Sequence, residues 1–366
     1  MPASLRIIYT CLRYAAGAGL AGAFLLAGGL WYFQRRLIYP ADMPSGSRKL
    51  VPKPSDIGLA YEDVTLQTRD GIKIKAYVIP ARRQYIPVGE LQSMTSKERK
   101  ERGEQAMHAW AEELASGDAV EYAKSRPTVV IFHANAGNMG HRLPLARKLH
   151  AEHGCNVFML SYRGYGMSEG HPSEHGMRID AETALEYITT HPLLGDTKLV
   201  LYGQSIGGAV CLYAASRHPD LISGLIIENT FLSLASLIPL VLPQVPTILI
   251  PILLTEHWDA SASLPLIPKT TPILFMAGKK DELVAPSQMK ALKALRGDGK
   301  YTWKEFEGGH NDTCLIPQYW MEIGKWLKEE IESEEEKRDD PDEKRESVEE
   351  KSSSEDDSGW EHVEDK

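Results

Sequence analysis

The stretch KLVLYGQSIGGAVCLYAAS, residues 198–216, changes its periodicity at its centre. KLVLY is a short, continuous apolar run of strand length, whereas GGAVCLYAAS is apolar almost all round, as a helix packed on the middle of a sheet should be. Between them stand Gly203, Gln204, Ser205 and Ile206, and Gly207 opens the second run. A strand that becomes a helix within so few residues needs glycine where a Cβ would clash, and such a turn presents the serine hydroxyl at its apex. The same Gly-x-Ser-x-Gly spacing recurs at Gly166, Ser168 and Gly170, inside YRGYGMSEGHPSE. Three fixed residues arise by chance in roughly one chain of this length in eight, so context has to choose between the two. Only Ser205 has a strand before it and a helix directly after it. Ser205 is therefore the candidate nucleophile, and Ser168 is expected to line a loop.

On either side of this turn, apolar runs alternate with amphipathic stretches, the pattern of βαβ units around a buried parallel sheet. Strands are predicted at 128–133, 156–162, 198–203, 224–228, 272–277 and 301–306, and helices near 142–153, 173–191, 207–217, 286–296 and 317–332. Upstream, 62–68 and 72–80 flank Arg69-Asp70-Gly71 and form an antiparallel hairpin that enters the same sheet. The predicted class is thus α/β, an α/β-hydrolase fold with a mostly parallel sheet of about eight strands flanked by helices.

Hydrolysis of an acyl bond by serine needs a base for its proton, an acid to hold that base, and N–H donors for the oxyanion. In this fold the order is Ser, acid, His, so both partners lie beyond residue 205. Asp281 directly follows the strand PILFMAG, at the carboxyl edge of the sheet where open α/β sheets build their sites. Asp259 lies in an apolar excursion, Asp298 in a polar turn, and Asp312 only two residues from the candidate base. That base is His310, in the loop FEGGHNDT after the last strand, whose paired glycines permit a return over the sheet edge; His218, His257 and His362 occupy a helix end, the excursion and the tail. The oxyanion donors are expected to be the backbone N–H of Ile206 and one from the loop after VVIFHANAGN, with Asn135 the first choice and Ala136 the alternative. His133 precedes Ser205 and reads as a wall residue bonded to backbone.

The combination FHANAGNMGHR (132–142), SYRGYGMSEG (161–170), YGQSIGG (202–208), ENTFLS (228–233) and GGHNDT (308–313) resembles the fungal bud-emergence-suppressor (Bem-type) hydrolases and their animal α/β-hydrolase-domain counterpart. The resemblance runs from about residue 60 to 330. It implies a serine hydrolase acting on acyl bonds, an N-terminal anchor, and a triad that falls on Ser205, Asp281 and His310.

The flanks carry the rest. Tyr14 to Phe33 is a run of 20 residues without a charge, followed by Arg35 and Arg36, and a helix of that length spans a ~30 Å hydrocarbon layer. Its Trp31-Tyr32-Phe33 end fits a headgroup belt, so residues 1–36 are expected to be a single-pass anchor of an endomembrane such as the endoplasmic reticulum, followed by a 37–59 linker. A cleaved signal peptide is the competing reading, but its apolar region would be shorter. Lys and Arg after the span outnumber those before it, which favours a cytosolic catalytic domain. The Asn311-Asp312-Thr313 glycosylation acceptor is then unused. The catalytic domain takes 60–331, with a charged surface insertion at 96–124 carrying Met107, Trp110 and Leu114 at helical spacing, and an apolar cap at 231–265. Such a cap suits a lipophilic acyl substrate, although a core segment has the same composition.

Of the net charge of −9, residues 332–366 alone contribute −11, leaving the body at +2. A near-neutral body has no basic field for nucleic acid. The tail is expected to be disordered, dispensable for catalysis and available to a protein partner. Four scattered cysteines make no disulfide framework, no spacing suits a metal, and serine acyl transfer uses no cofactor. Ester, thioester and amide bonds all remain open as substrates, as does a scaffold that keeps the fold without turnover.

Overall fold

The computed structural model describes residues 3–83 and 93–332. The acidic tail expected from 332 therefore lies, apart from Glu332, outside the described residues. Glu332 itself is buried and accepts a 2.7 Å bond from Arg126, so the body extends at least that far.

Eight strands form one sheet in the order β1-β2-β4-β3-β5-β6-β7-β8. They are β1 (Glu62–Gln67), β2 (Lys73–Ile79), β3 (Thr128–Phe132), β4 (Asn156–Ser161), β5 (Leu199–Gln204), β6 (Ile222–Glu228), β7 (Ile273–Gly278) and β8 (Tyr301–Phe306). β1, β2 and β4 pair antiparallel, and every pairing from β4 to β8 is parallel. Burial follows the pleat: Val130, Phe132 and Leu201 enter one core, while Val129, Ile131 and Val200 enter the other. A sheet covered on both faces explains why these strands read as unbroken apolar runs rather than alternating ones. Truncating one such residue, Phe132→Ala, would cost about 3–5 kcal/mol.

The helices of eight residues or more among the described residues are α1 (Ala3–Ile38), α2 (Ser96–Ser116), α3 (Asp118–Ser125), α4 (Leu143–His153), α5 (Glu174–Thr190), α6 (Ile206–Arg217), α7 (Leu234–Val241), α8 (Pro286–Arg296) and α9 (Pro317–Trp326). α5, α6 and α8 cover one face of the sheet, and α4 and α9 the other. In α1 the stretch Leu12–Ile38 is long and apolar enough to cross a membrane, and Phe24, Leu25 and Leu26 are each more than 70% exposed. The helix continues through Arg35 and Arg36 into the expected linker, and Tyr39 just after it is buried.

The charged insertion differs in one respect from a purely surface element. α2 is capped by Thr95, whose side chain accepts from the Glu98 N–H, and it buries Trp110 in the core, whereas Leu114 stays exposed. Gly103 lies so close to the linker turn at Pro54–Ile57 that a Cβ would stand 2.0 Å from the Ser55 carbonyl. The helical spacing falls on α2, but Ser55, which receives Gly103, is 48 residues away in sequence and has no signature there.

Candidate active site

β5 ends at Gln204 and α6 begins at Ile206, leaving Ser205 alone at the junction with φ 57° and ψ −123°. A non-glycine residue in that region stores about 1–3 kcal/mol of strain, so the surroundings must hold it. They do: Ser205 N–H donates to the Glu228 carbonyl at 2.9 Å, and the Ser205 carbonyl accepts from Thr230 Oγ1 at 2.6 Å and Gly208 N–H at 2.9 Å. The glycines are steric requirements. A Cβ on Gly203 would lie 2.3 Å from the Gly207 carbonyl, and one on Gly207 would lie 2.0 Å from that of Phe132.

Asp281 and His310 come from the loops after β7 and β8 and meet with His310 Nδ1 2.8 Å from Asp281 Oδ2. Both are buried. The other oxygen, Asp281 Oδ1, accepts the N–H groups of Leu283 at 2.9 Å and Val284 at 2.7 Å, which fixes the carboxylate plane. With Nδ1 turned to the carboxylate, Nε2 is the nitrogen free to serve a hydroxyl. The histidine loop is tied to the serine turn, because Gln204 Nε2 donates to the His310 carbonyl at 2.7 Å. The rival acids are employed elsewhere: Asp259 caps a helical turn, Asp298 pairs with Lys269, and Asp312 accepts from Gly309 N–H.

Ser168 has a different fate. It is buried, donates to the Ser161 carbonyl at 2.8 Å and accepts from Lys75 N–H at 2.9 Å, a strut between β2 and β4.

Ile206 opens α6, so its N–H is among the donors that a helix N-terminus leaves without an intrahelical acceptor. Asn135 lies in the loop after β3; its Nδ2 donates to the Ile38 carbonyl at 3.2 Å, and its own carbonyl accepts from Tyr165 at 2.8 Å. The side chain is thus occupied by backbone. His133 is buried with Nδ1 2.7 Å from the Ala134 carbonyl, and burial holds its pKa down to about 3. It stays neutral at working pH.

Two supporting features carry little sequence signal. Asn229, at φ 44°, accepts from Gly278 N–H at 2.7 Å and donates Nδ2 toward the carbonyls of Gly309 and His310 and to Thr313 Oγ1, each within 3.2 to 3.3 Å. It joins the end of β7 to the histidine loop; an asparagine after an apolar strand, at a place where αL is tolerated, is the one available hint. The second is the segment after α1, which clamps the loop at 135–138: the Met43 carbonyl accepts from Gly137 N–H at 2.7 Å, and those of Ser47 and Leu50 accept from Asn138 Nδ2 at 2.8 and 2.9 Å. Behind the serine, fully buried Glu228 accepts from the hydroxyls of Tyr202 and Tyr319, and burial raises its pKa.

Residues 127–249 match the family model described as the alpha/beta hydrolase fold. The Bem46 protein of Schizosaccharomyces pombe is 41% identical over 323 residues, covering 88% of this chain and 95% of its own length. An uncharacterized membrane protein of Saccharomyces cerevisiae is 34% identical, covering 82% and 90%, and the α/β-hydrolase domain-containing protein WAV2 of Arabidopsis thaliana is 32% identical, covering 88% and 95%. Among solved structures, an esterase from Pyrococcus furiosus superposes with a TM-score of 0.54 at 14% identity over 77% of this chain and 98% of that one. An α/β-hydrolase from Vibrio vulnificus gives 0.57 at 18% over 80% and 92%. The fold and these identities, held over nearly the whole chain, make it a hydrolase that belongs to the α/β-hydrolase family, in the group of the Bem46 protein.

Proposed function

We propose that the chain is a membrane-anchored serine hydrolase that cleaves a lipophilic carboxylic ester or thioester through an acyl-enzyme on Ser205. The observation that carries this reading is the pairing of a strained serine at a strand–helix junction with a buried His310–Asp281 couple whose loop is bonded to the serine's neighbour Gln204.

In the first half-reaction Ser205 Oγ attacks the carbonyl carbon as its proton passes to His310 Nε2. Negative charge gathers on the carbonyl oxygen, which takes the Ile206 N–H and a second N–H from Asn135 or Ala136. Collapse expels the alcohol or thiol, which leaves with the proton from His310. Water then repeats the sequence on the acyl-enzyme, releasing the carboxylic acid and restoring the serine. No cofactor enters.

α1 supports membrane attachment: an apolar helix with bare sides has no favourable place in water. The basic residues after it favour a cytosolic domain on an endomembrane. Protease treatment of sealed microsomes carrying a C-terminal epitope tests this: the epitope is expected to be lost, and its protection together with a glycan at Asn311 would reverse the topology.

The decisive chemical test is labelling of the full-length protein by a fluorophosphonate probe. A single adduct on the peptide containing Ser205, absent in Ser205→Ala, is expected. No adduct in active-site-accessible, folded protein would favour a scaffold that has kept the fold without turnover.

A further inference from the structure

From Phe231 to Thr255 the chain carries no charged residue. Part of this cap is core, with Phe231, Leu234, Ile250 and Leu254 buried, but much of it is not. Ile248 is 77% exposed, Ile252 70%, Leu240 52%, Val241 50% and Leu242 40%. So much aliphatic surface concentrated on one short segment marks an interaction site rather than a solvated face.

Its position identifies the partner. The cap lies against the last turns of α1, where Leu30, Leu37 and Ile38 form one wall and Ile238, Leu242 and Leu253 the other wall of an apolar cleft of about 100 Å³. The single polar residue in that lining, Gln34, is fully engaged: Nε2 donates to the carbonyls of Trp31 at 2.8 Å and Leu253 at 3.1 Å, while Oε1 accepts from Thr255 N–H at 2.8 Å. Below it, Arg35 Nε donates to Glu256 at 2.7 Å and Tyr39 to the same carboxylate at 2.6 Å, and Trp258 donates to the Tyr39 hydroxyl at 2.8 Å. These bonds fix the height of the cap along the helix. It stands beside residues 30–38, a rise of ~12 Å at 1.5 Å per residue, level with Trp31, Tyr32 and Phe33 and with Arg35 and Arg36. That is the side-chain set that settles where headgroups meet acyl chains.

We propose that residues 234–254 form a second membrane contact, inserting Leu240, Val241, Leu242, Ile248 and Ile252 into the headgroup–acyl boundary of the bilayer beside the anchor. The cleft between cap and anchor then opens to lipid, and its lining fits an acyl chain. A bilayer is favoured over a second copy of the chain by continuity: the exposed apolar surface of the cap runs into that of α1, where Phe24, Leu25 and Leu26 are 78%, 77% and 72% exposed, and one lipid phase covers both. An interfacial element of this kind typically seats its apolar face ~5–10 Å deep. The proposal rests on the reading of α1 as a membrane span.

The test uses the full-length chain reconstituted in phosphatidylcholine vesicles, with environment-sensitive fluorophores on single cysteines placed by Phe24→Cys, Ile248→Cys or Met321→Cys. The background is Cys11→Ser with Cys314→Ser, since Cys155 and Cys211 are buried. Met321, 70% exposed on α9 across the sheet, is the solvent control. Lipids bearing a doxyl group high on the acyl chain should quench the fluorophore at 248, lipids bearing it near the chain end should quench the one at 24, about ten residues deeper along α1, and neither should affect that at 321. Quenching at 24 without quenching at 248 overturns the cap contact while the anchor stands. No quenching at 24 overturns the anchor reading and this proposal with it. A blue-shifted, unquenched signal at 248 that follows protein density in the vesicle assigns the surface to a second copy and overturns the lipid partner.

Discussion

At the scale of single residues, strain and compensation meet at Ser205, whose φ of 57° is held by bonds to Glu228, Thr230 and Gly208. The two Gly-x-Ser-x-Gly serines give opposite mutational signatures. Ser205→Ala is expected to abolish turnover of a short p-nitrophenyl ester and leave the melting temperature nearly unchanged. Ser168→Ala should do the reverse, keeping most of kcat while losing about 1–3 kcal/mol of stability, because Lys75 N–H and the Ser161 carbonyl lose a buried partner. Comparable kcat losses in both would undo the assignment of the nucleophile. For the base and its support, Asp281→Asn should lower kcat by roughly 10⁴-fold through loss of the correct imidazole tautomer. Asn229→Ala leaves Asp281 in place but removes one of two donors from each of the Gly309 and His310 carbonyls, which keep Thr313 Oγ1 and Gln204 Nε2; a kcat loss of about 10–100-fold with KM little changed is expected of a positioning residue. Steady-state kinetics on both variants would show whether the split between kcat and KM holds.

At the scale of elements, the last residue of α1 and the segment after it are bonded into the α/β body and are not a passive tether. Four carbonyls, those of Ile38, Met43, Ser47 and Leu50, receive donors from residues 135–138, the loop that would supply the second oxyanion N–H. Asn138 is fully buried, and Asn138→Ala strands two of those carbonyls at once. A stability loss of about 2–4 kcal/mol follows from unmade buried bonds. If the loop carries the oxyanion donor, kcat for the short ester should also fall, by roughly tenfold or more. Thermal melting and initial rates of the one variant separate the two effects: a lowered melting temperature with an unchanged kcat would leave the loop a structural role only.

At the scale of the whole molecule, buried titratable groups set how the fold answers acid. His133 and His150 are fully buried, each with a ring nitrogen lacking a partner among the described residues, and burial holds their pKa values down to about 3 and about 4. The unfolded chain titrates such groups near 6.5, so it takes up protons that the folded state refuses. Their contribution is present in full above 6.5 and is lost progressively as pH falls toward 4, by up to about 2 kcal/mol per histidine at pH 5. Asp180, pushed up to about 6 chiefly by burial, works in the opposite sense, because the folded state protonates first. The balance predicts a lower urea midpoint at pH 5 than at pH 7.5, and a smaller drop in His150→Leu. An equal drop in that variant would remove His150 from the account.

Much of the fold was legible because its signals are local. A strand buried on both faces must be apolar throughout, a helix must repeat near 3.6 residues, and the turn at 203–207 admits only glycine where a Cβ would strike the Gly207 or Phe132 carbonyl. The positions of Asp281 and His310 followed from chain order and strand ends, which are also properties of sequence. What the sequence could not reveal depends on contacts between segments far apart in the chain. Gly103 is held against Ser55, and Asn138 lies under the Ser47 and Leu50 carbonyls; neither partner is near it in sequence. The cap at 231–265 is the sharpest case, since apolar composition is the same for a core, a pocket and a lipid-facing surface. Only the tertiary structure divides it, burying Phe231 and Leu254 while leaving Ile248 and Ile252 bare, because burial is decided by which surfaces meet and not by how apolar each one is.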